Sequence, residues 1–186
     1  MLEIRPASES EYGTVRAFYH ALIDALEHAE FSPGWEKDIY PTPLFLMESI
    51  RNGELYMGIM DGEIVSCMVL NHKCNEGYQK VKWSVDASDK DVLFIHILGV
   101  APEFGGRGIA KDMVRNAFDT ACRQHINVLR LDVLQGNTPA VKAYTKMGFQ
   151  YMDTIQMFYE DTGWTNYELF ECVIDKRNDG EEARWM

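Results

Sequence analysis

The order of elements in this 186-residue chain predicts a mixed α+β fold of α/β/α type, and three stretches carry that expectation. Leu93-Phe94-Ile95-His96-Ile97-Leu98-Gly99-Val100 is almost wholly apolar, as suits a strand buried on both faces, and it runs through a glycine cluster into a helical pattern. Residues 127–134 alternate apolar and polar side chains and are again followed by a helical pattern. Upstream, Asp61-Gly62 separates two strand-like runs and marks a tight hairpin, whose strands pair antiparallel.

Taken in order, the chain opens with a strand near 2–5, and the early charges Glu3 and Arg5 leave no signal peptide. A long helix is expected from about 8 to 29, capped by Ser8 or Ser10. A loop rich in Phe31, Pro33, Trp35 and Tyr40 precedes a helix near 42–52. The hairpin strands are 54–60 and 63–73, a third strand begins at Lys80-Val81-Lys82-Trp83, and a polar loop at 86–91 leads to the buried strand at 93–100. From Ile109, the positions Ile109, Met113, Ala117 and Ala121, flanked by Ala110, Val114 and Phe118, form one apolar stripe, so a helix begins near Gly108.

In the strand at 127–134, Leu129, Leu131 and Val133 share one face while Arg130 and Asp132 share the other. Thr138 or Asn137 caps the helix that follows, Pro139 suits its first turn, and Gly148 ends it. Its inner face is Ala140, Val141, Ala143, Tyr144 and Met147. A last strand pair, 149–159 and 167–175, flanks the turn-like Asp161-Thr162-Gly163. Residues 1–175 thus read as one domain without a Pro/Gly/Ser-rich linker, and 176–186 as a charged tail.

Composition narrows the function. With 18 Lys and Arg against 29 Asp and Glu the net charge is −11, which argues against a nucleic-acid or anionic-membrane partner. No apolar run approaches the roughly 18 residues of a membrane span, so the expectation is a soluble, cytoplasmic protein. Cys67, Cys74, Cys122 and Cys172 are scattered, and Cys67 and Cys122 sit in apolar patterns, so buried free thiols are expected rather than disulfides or a nucleophile. The chain lacks Gly-Lys-Ser/Thr, Gly-x-Gly-x-x-Gly, His-Glu-x-x-His and Cys-x-x-Cys, so neither a P-loop, a dinucleotide site nor a metal is proposed by any motif.

The glycine cluster suits an anion. At a helix start the first backbone N–H groups have no intrahelical partner, and the aligned peptide dipoles leave roughly half a positive charge. Gly105, Gly106 and Gly108 remove the β-carbons that hold a phosphate away, and Arg107 and Lys111 add cationic side chains at the same end. Taken alone, such a cluster is also found as a plain glycine-rich turn into a helix.

The apolar strand, the Gly-Gly-Arg-Gly-Ile-Ala helix start at 105–110, the Leu-Arg-Leu-Asp-Val strand, and Asn137, Ala140, Tyr144 and Gly148-Phe149 in that order resemble the GNAT superfamily of acyl-CoA-dependent N-acyltransferases. The resemblance is close over roughly 92–150 and in outline elsewhere. It implies a central, mostly antiparallel sheet of about seven strands with about four helices, in which two neighbouring parallel strands, by analogy 93–100 and 127–134, splay apart. One departure stands out: the superfamily's loop reads Arg or Gln, two residues, Gly, one residue, then Gly or Ala. Gly108 and Ala110 match, but Gly105 occupies the Arg/Gln position, with Arg107 as a nearby cationic substitute.

The resemblance also implies roles. Acetyl-CoA is the co-substrate, held at its pyrophosphate by Gly105, Gly106, Arg107, Gly108, Ile109 and Ala110. Backbone groups of Leu98, Gly99 and Val100 follow the pantetheine arm, and the Val100 N–H reaches the thioester oxygen. Asn137 and Ala140 also meet the arm, although Asn137 is equally placed to cap its helix. Tyr144 matches the general acid that protonates the departing thiolate, with a half-buried helix tyrosine as the plain alternative. His96, two residues before Leu98 and so on the same strand face, is where the superfamily often carries a residue that takes the amine proton; a core histidine bonded to a carbonyl is the competing reading.

The acceptor pocket is expected from the loop 30–43, the hairpin and the last strand pair, bringing Trp35, Tyr40, Trp83, Phe158, Tyr159 and Trp164 together with Glu36, Asp38 and Glu160. The resulting expectation is an N-acetyltransferase that passes acetyl to a primary amine of a small molecule by direct attack, as a monomer or homodimer. Transfer to a protein N-terminus or lysine, and a non-catalytic acyl-CoA-binding module, are the alternatives.

Overall fold

Asp61 and Gly62 take φ of 52° and 85°, the pair of positive values that a two-residue hairpin turn demands, and they join β2 (Leu55–Met60) to β3 (Glu63–Asn71) in antiparallel register with Met60 opposite Glu63. The computed structural model describes residues 1–27, 29 and 31–174. Its further elements are β1 (Glu3–Pro6), α1 (Tyr12–Leu26), α2 (Pro43–Arg51), β4 (Val92–Val100), α3 (Ile109–Arg123), β5 (Val128–Leu134), α4 (Thr138–Lys146), β6 (Gln150–Tyr159) and β7 (Gly163–Val173). The strands form one seven-stranded sheet in the order β1-β2-β3-β4-β5-β7-β6. Only β4 and β5 run parallel; every other pair is antiparallel.

Helices cover both faces. On one, Val15, Tyr19 and Leu22 of α1 and Leu46 and Ile50 of α2 bury Leu55, Met57, Cys67, Val69 and Ile97. On the other, Met113, Val114, Ala117, Phe118 and Ala121 of α3 pack on Val65, Met68, Leu93, Ile95, Leu129 and Leu131, with Ala140, Val141, Tyr144 and Met147 of α4 at the margin. A third cluster is covered by a short 3-10 helix, Glu76–Lys80, whose Tyr78, with Val81 after it, packs with Phe94, Val128, Met157, Tyr167 and Leu169.

Several sequence expectations change. Helix α1 begins at Tyr12 after a short 3-10 turn, Glu9–Glu11; Ser8 opens that turn by donating its N–H and Oγ to the Glu11 carboxylate at 2.9 and 2.8 Å. The helix ends at Leu26, and residues 28 and 30 of the expected helix and loop lie outside the described residues, as do residue 175 and the tail 176–186. No strand forms at 80–83. That segment is held by side chains instead: the Trp83 Nε1–H donates to Tyr78 O at 2.9 Å, the Arg130 guanidinium lies 4.1 Å above the Trp83 ring, and the Ser84 N–H donates to Glu171 Oε1 at 2.9 Å. Arg130 and Glu171 themselves form a buried ion pair, Nε to Oε2 2.9 Å, with side chains 3% and 1% exposed.

The parallel pair splays as the resemblance implied. Strands β4 and β5 pair only at Val92–Val128, Leu93–Leu129 and Phe94–Arg130. Beyond Phe94, β5 stays with β7 to Leu134 while β4 stays with β3 to Val100, so a slot opens between them.

Candidate active site

The chain leaves β4 through a 3-10 turn, Pro102–Phe104, and enters α3 across residues 105–108. Gly106 and Gly108 take φ of 74° and 83°, and a Cβ on either would meet nothing within 4 Å. Conformation, not crowding, demands glycine there, and the space above the backbone is open. Gly108 supplies no side-chain cap to α3, so the amides of its first turn remain for an outside acceptor. Gly105 differs: its φ is −57°, and a Cβ there would sit 3.0 Å from Pro102 O. Any Cβ at this position would press on the Pro102 carbonyl, so the turn as it stands favours glycine. Arg107 rests over the Phe104 ring at 5.0 Å, and Lys111 is exposed at the same helix end. The seat fits a phosphate-bearing ligand whose arm extends into the slot.

The wall of the slot is bent by a bulge. The β3–β4 register shifts between Cys67 and Val69, and across it Ile97 takes φ of 45°, a conformation that strains a β-branched residue. The Ile97 carbonyl accepts the Tyr19 hydroxyl at 3.0 Å, and its side chain turns to the α1 face, while Leu98 and Val100 pack on the α3 face. His96 therefore does not share a face with Leu98, contrary to the period-two expectation; its ring meets Phe45 of α2 and Phe94. Gly99 carries no side chain for a packing reason: a Cβ would lie 2.3 Å from Leu22 Cδ2 and 3.7 Å from Trp35.

His96 Nε2 lies 2.9 Å from Lys73 O and 3.0 Å from Asn71 Oδ1, which also accepts the Lys73 N–H. Both neighbours are acceptors, so Nε2 carries the hydrogen and Nδ1 the lone pair. Burial lowers the imidazole to about 4, opposed by the bond to Lys73. It is neutral at pH 7.

Helix α4 brings the next group. Asn137 caps it, Oδ1 accepting the Ala140 N–H at 3.1 Å, which leaves the Nδ2 donors for another partner. Tyr144, one turn on from Ala140, packs edge-on against Phe149 at 5.7 Å. Burial, and after it the charge of Asp132, pushes its phenol well above the usual range, so it is a proton donor throughout the physiological span.

His96, Leu98, Asn137, Ala140 and Tyr144 line one cleft of about 110 Å³, together with Trp35, Tyr40, Asp132, Tyr159, Asp161 and Tyr167. Asp132 and Asp161 were not expected. Asp132 Oδ2 accepts the hydroxyls of Tyr78 at 2.7 Å and Tyr159 at 2.9 Å, yet burial still raises its carboxyl above the ordinary range. Asp161 is pushed up to about 6, first by burial and further by Glu160 and Glu36.

The acids expected in this pocket are elsewhere. Asp38 is tied to Arg16 Nε at 2.8 Å and His20 Nε2 at 3.1 Å and is held down to about 2, chiefly by the Arg16 hydrogen bond. Glu36 and Glu160 do not line the cleft. Trp83 lies under Arg130, and Phe158 and Trp164 form an exposed ring pair, Trp164 being 65% accessible. Cys122 is exposed rather than buried, Cys67 and Cys172 are buried, and no cysteine lines the cleft.

Comparison with known proteins follows the same lines. A model for the acetyltransferase (GNAT) family matches residues 19–149. Over 70 residues, 38% of this chain and 37% of the relative, the sequence is 36% identical to streptothricin acetyltransferase of Streptomyces lavendulae. Over 75 residues, 40% of this chain and 46% of the relative, it is 31% identical to N-alpha-acetyltransferase RimI of Mycobacterium tuberculosis. The chain spans less than half the length of the curated relatives it matches. A GNAT-family acetyltransferase from Streptococcus agalactiae superposes with TM-score 0.77 at 20% identity, covering 94% of this chain and 96% of that one. PaiA N-acetyltransferase from Thermoplasma acidophilum in complex with coenzyme A superposes with TM-score 0.69 at 17% identity, covering 93% and 99%. The two structural likenesses speak to the fold.

Proposed function

The chain belongs to the acetyltransferase (GNAT) family, and from that premise we propose that it transfers the acetyl group of acetyl-CoA to a primary amine of a small molecule by direct attack. The observation that carries this reading is the uncapped start of α3 beside the β4–β5 slot, with Asn137 and Tyr144 in the cleft at its end. Acetyl-CoA supplies the activated acetyl thioester. First-turn amides of α3, with Gly105, Gly106, Gly108, Ile109 and Ala110, hold the pyrophosphate, and Arg107 and Lys111 add positive charge. Leu98, Gly99 and Val100 pair with the pantetheine arm along the unpaired edge of β4, and Asn137 and Ala140 meet it from α4. The Val100 N–H donates to the thioester oxygen; a single preorganised donor of this kind is worth about 2.7–4 kcal/mol in the transition state.

Tyr144 gives its proton to the departing thiolate. A phenol kept protonated by burial is in the right state for that step, and its place in the cleft supports turnover over a purely binding role. His96 takes the amine proton: it is neutral and its Nδ1 lone pair is uncommitted. Its lowered basicity limits it to relaying that proton to solvent, and its bond to the Lys73 carbonyl is equally that of a core histidine. The small cleft, walled by Trp35, Tyr40 and Tyr159, supports a small acceptor over a protein chain.

Two measurements test this. Coenzyme A at a hundredfold excess over its Kd should stabilise the protein by about 2.7 kcal/mol, a rise of about 5–11 °C in Tm for a chain of this size, and Gly106→Asp should abolish that rise by placing a charged side chain in the phosphate seat. Free-thiol release from acetyl-CoA should then appear with small primary amines; release only with peptides bearing a free N-terminus or lysine overturns the small-molecule assignment.

A further inference from the structure

The cleft holds more negative charge than its own residues neutralise. Asp132 and Asp161 both line it, and among the described residues no lysine or arginine does and the one histidine, His96, is neutral. Asp132 Oδ2 is taken by two tyrosine hydroxyls, while Oδ1 accepts from no described residue. The side-chain polar atoms sealed without a partner among the described residues are Ser66 Oγ and Asn116 Nδ2. Asp132 lines the cleft with Oδ1 uncommitted to any described donor. Asp161 is the same: Oδ1 accepts the Thr162 N–H at 3.0 Å, and Oδ2 accepts from no described residue. Both carboxyls share the cleft with an aromatic cluster: Tyr159, whose hydroxyl Asp132 accepts, packs against the Tyr40 and Tyr167 rings at 5.5 and 5.0 Å.

Two carboxyl groups in one aromatic-lined cleft, with no lysine or arginine beside them among the described residues, point to the charge of the ligand. We propose that the acetyl acceptor is a small dication, a diamine or guanidino-amine, whose reacting nitrogen is held by Asp132 and whose second cationic group is held by Asp161. The inference rests on the reading of this cleft as the acceptor site. An unpaired carboxylate in a partly desolvated site is costly, and a cation that binds there removes the cost and also gains from the faces of the surrounding rings. Asp132 and Tyr144 line the same cleft, so a nitrogen held at Oδ1 shares that cleft with the proton donor. On this basis Asp132 orients the reacting group and Asp161 selects for length and second charge. Both side chains were passed over in the sequence because their surroundings are assembled from Tyr78, Tyr159 and the β6–β7 turn, far apart along the chain.

The test compares unbranched α,ω-diamines of three to eight carbons with n-alkylamines of the same carbon number, by thiol release from acetyl-CoA and by calorimetric binding to the protein with coenzyme A bound. The expected result is a kcat/KM at least tenfold higher for the best diamine than for its monoamine counterpart, with a sharp length optimum. In Asp161→Asn, which keeps the oxygen that accepts the Thr162 N–H, that ratio should fall toward one; in Asp132→Asn both classes should lose kcat/KM. Equal kcat/KM for the two classes, or a diamine advantage that survives Asp161→Asn, overturns the inference and leaves the proposed function standing. Thiol release confined to peptides overturns the small-molecule reading instead, and calorimetry then still decides: diamines binding no more tightly than monoamines overturns the dicationic site, and tighter binding lost in Asp161→Asn upholds it.

Discussion

Gly99 sits at the bend of the slot, and Gly99→Ala separates two reasons for its being glycine. If the residue is small to let a ligand approach, alanine affects binding and not stability. The structure points to packing: the added Cβ lies 2.3 Å from Leu22 Cδ2, far inside van der Waals contact, and 3.7 Å from Trp35. Leu22 is 3% exposed among Val15, Tyr19 and Leu46 and has little room to turn aside. Overpacking of this kind costs about 1–3 kcal/mol, or roughly 2–12 °C in Tm at 2–4 °C per kcal/mol for a chain of this length. Leu22→Ala alone should cost about 2–5 kcal/mol through the cavity it leaves. The double variant is the decisive measurement, because the new methyl enters the space that the leucine vacates. Chemical denaturation of the four proteins should return a coupling of at least about 1 kcal/mol in favour of the pair. A Gly99→Ala protein within about 0.5 kcal/mol of the parent, or strict additivity in the double variant, would refute the packing account.

Tyr144→Phe should lower kcat by about 10²-fold or more with acetyl-CoA affinity nearly unchanged, since only the proton donor is lost; steady-state kinetics with an unchanged kcat would remove the phenol from the proton transfer. Glu171→Ala leaves Arg130 buried without its counter-charge and releases Ser84, so thermal melting should show a loss of about 3–5 kcal/mol. The pH dependence has a definite sign. Asp161 is raised from 3.8 to about 6 in the folded protein, so its ionised form is a folding cost that is present above pH 6 and disappears as pH falls toward 4. For a half-buried group that is about 1–3 kcal/mol of recovered stability. Glu11 and Asp38, both lowered to about 2, act oppositely, but only below their ordinary values near 4. His96, lowered from 6.5 to about 4, costs stability over the same span as its unfolded form takes up a proton, so the readout is a difference: between pH 6.5 and 4.8 the parent should gain in melting temperature relative to Asp161→Asn as pH falls, and a difference that does not change with pH would remove Asp161 from the effect.

The parts of the fold that rest on local physics were legible. The Asp61-Gly62 turn, the apolar stripe of α3 and the Asn137 cap follow from short-range backbone and periodicity rules, and each recurs in the structure. The same holds for the strand–glycine–helix order that places the anion seat. What was not legible was assembled from a distance. Period two assumes an unbroken strand, so the bulge at Ile97, which exchanges the faces of Ile97 and Leu98, had no signature. Asp132 reads as the solvent-facing position of an alternating strand until Tyr78, 54 residues upstream, and Tyr159, 27 downstream, close over it. Lys80-Val81-Lys82-Trp83 has strand-like composition, but a strand needs a partner edge, and that information lies in the sheet order rather than in the segment.

The seam between β4 and β5 is three residue pairs long, so the sheet consists of two rafts, β1 to β4 and β5-β7-β6, hinged at Val92–Phe94. From Ile95 to Val100, β4 is an edge strand inside its own sheet, bonded to β3 on one side and to no strand on the other. Edge amides exchange their hydrogens without waiting for global unfolding. On the proposed reading a ligand arm along that edge adds an eighth strand that staples the rafts together, so slower amide exchange at Leu98, Gly99 and Val100 is the expected mark of an occupied slot, while exchange in β3 and β7 reports the stability of the fold.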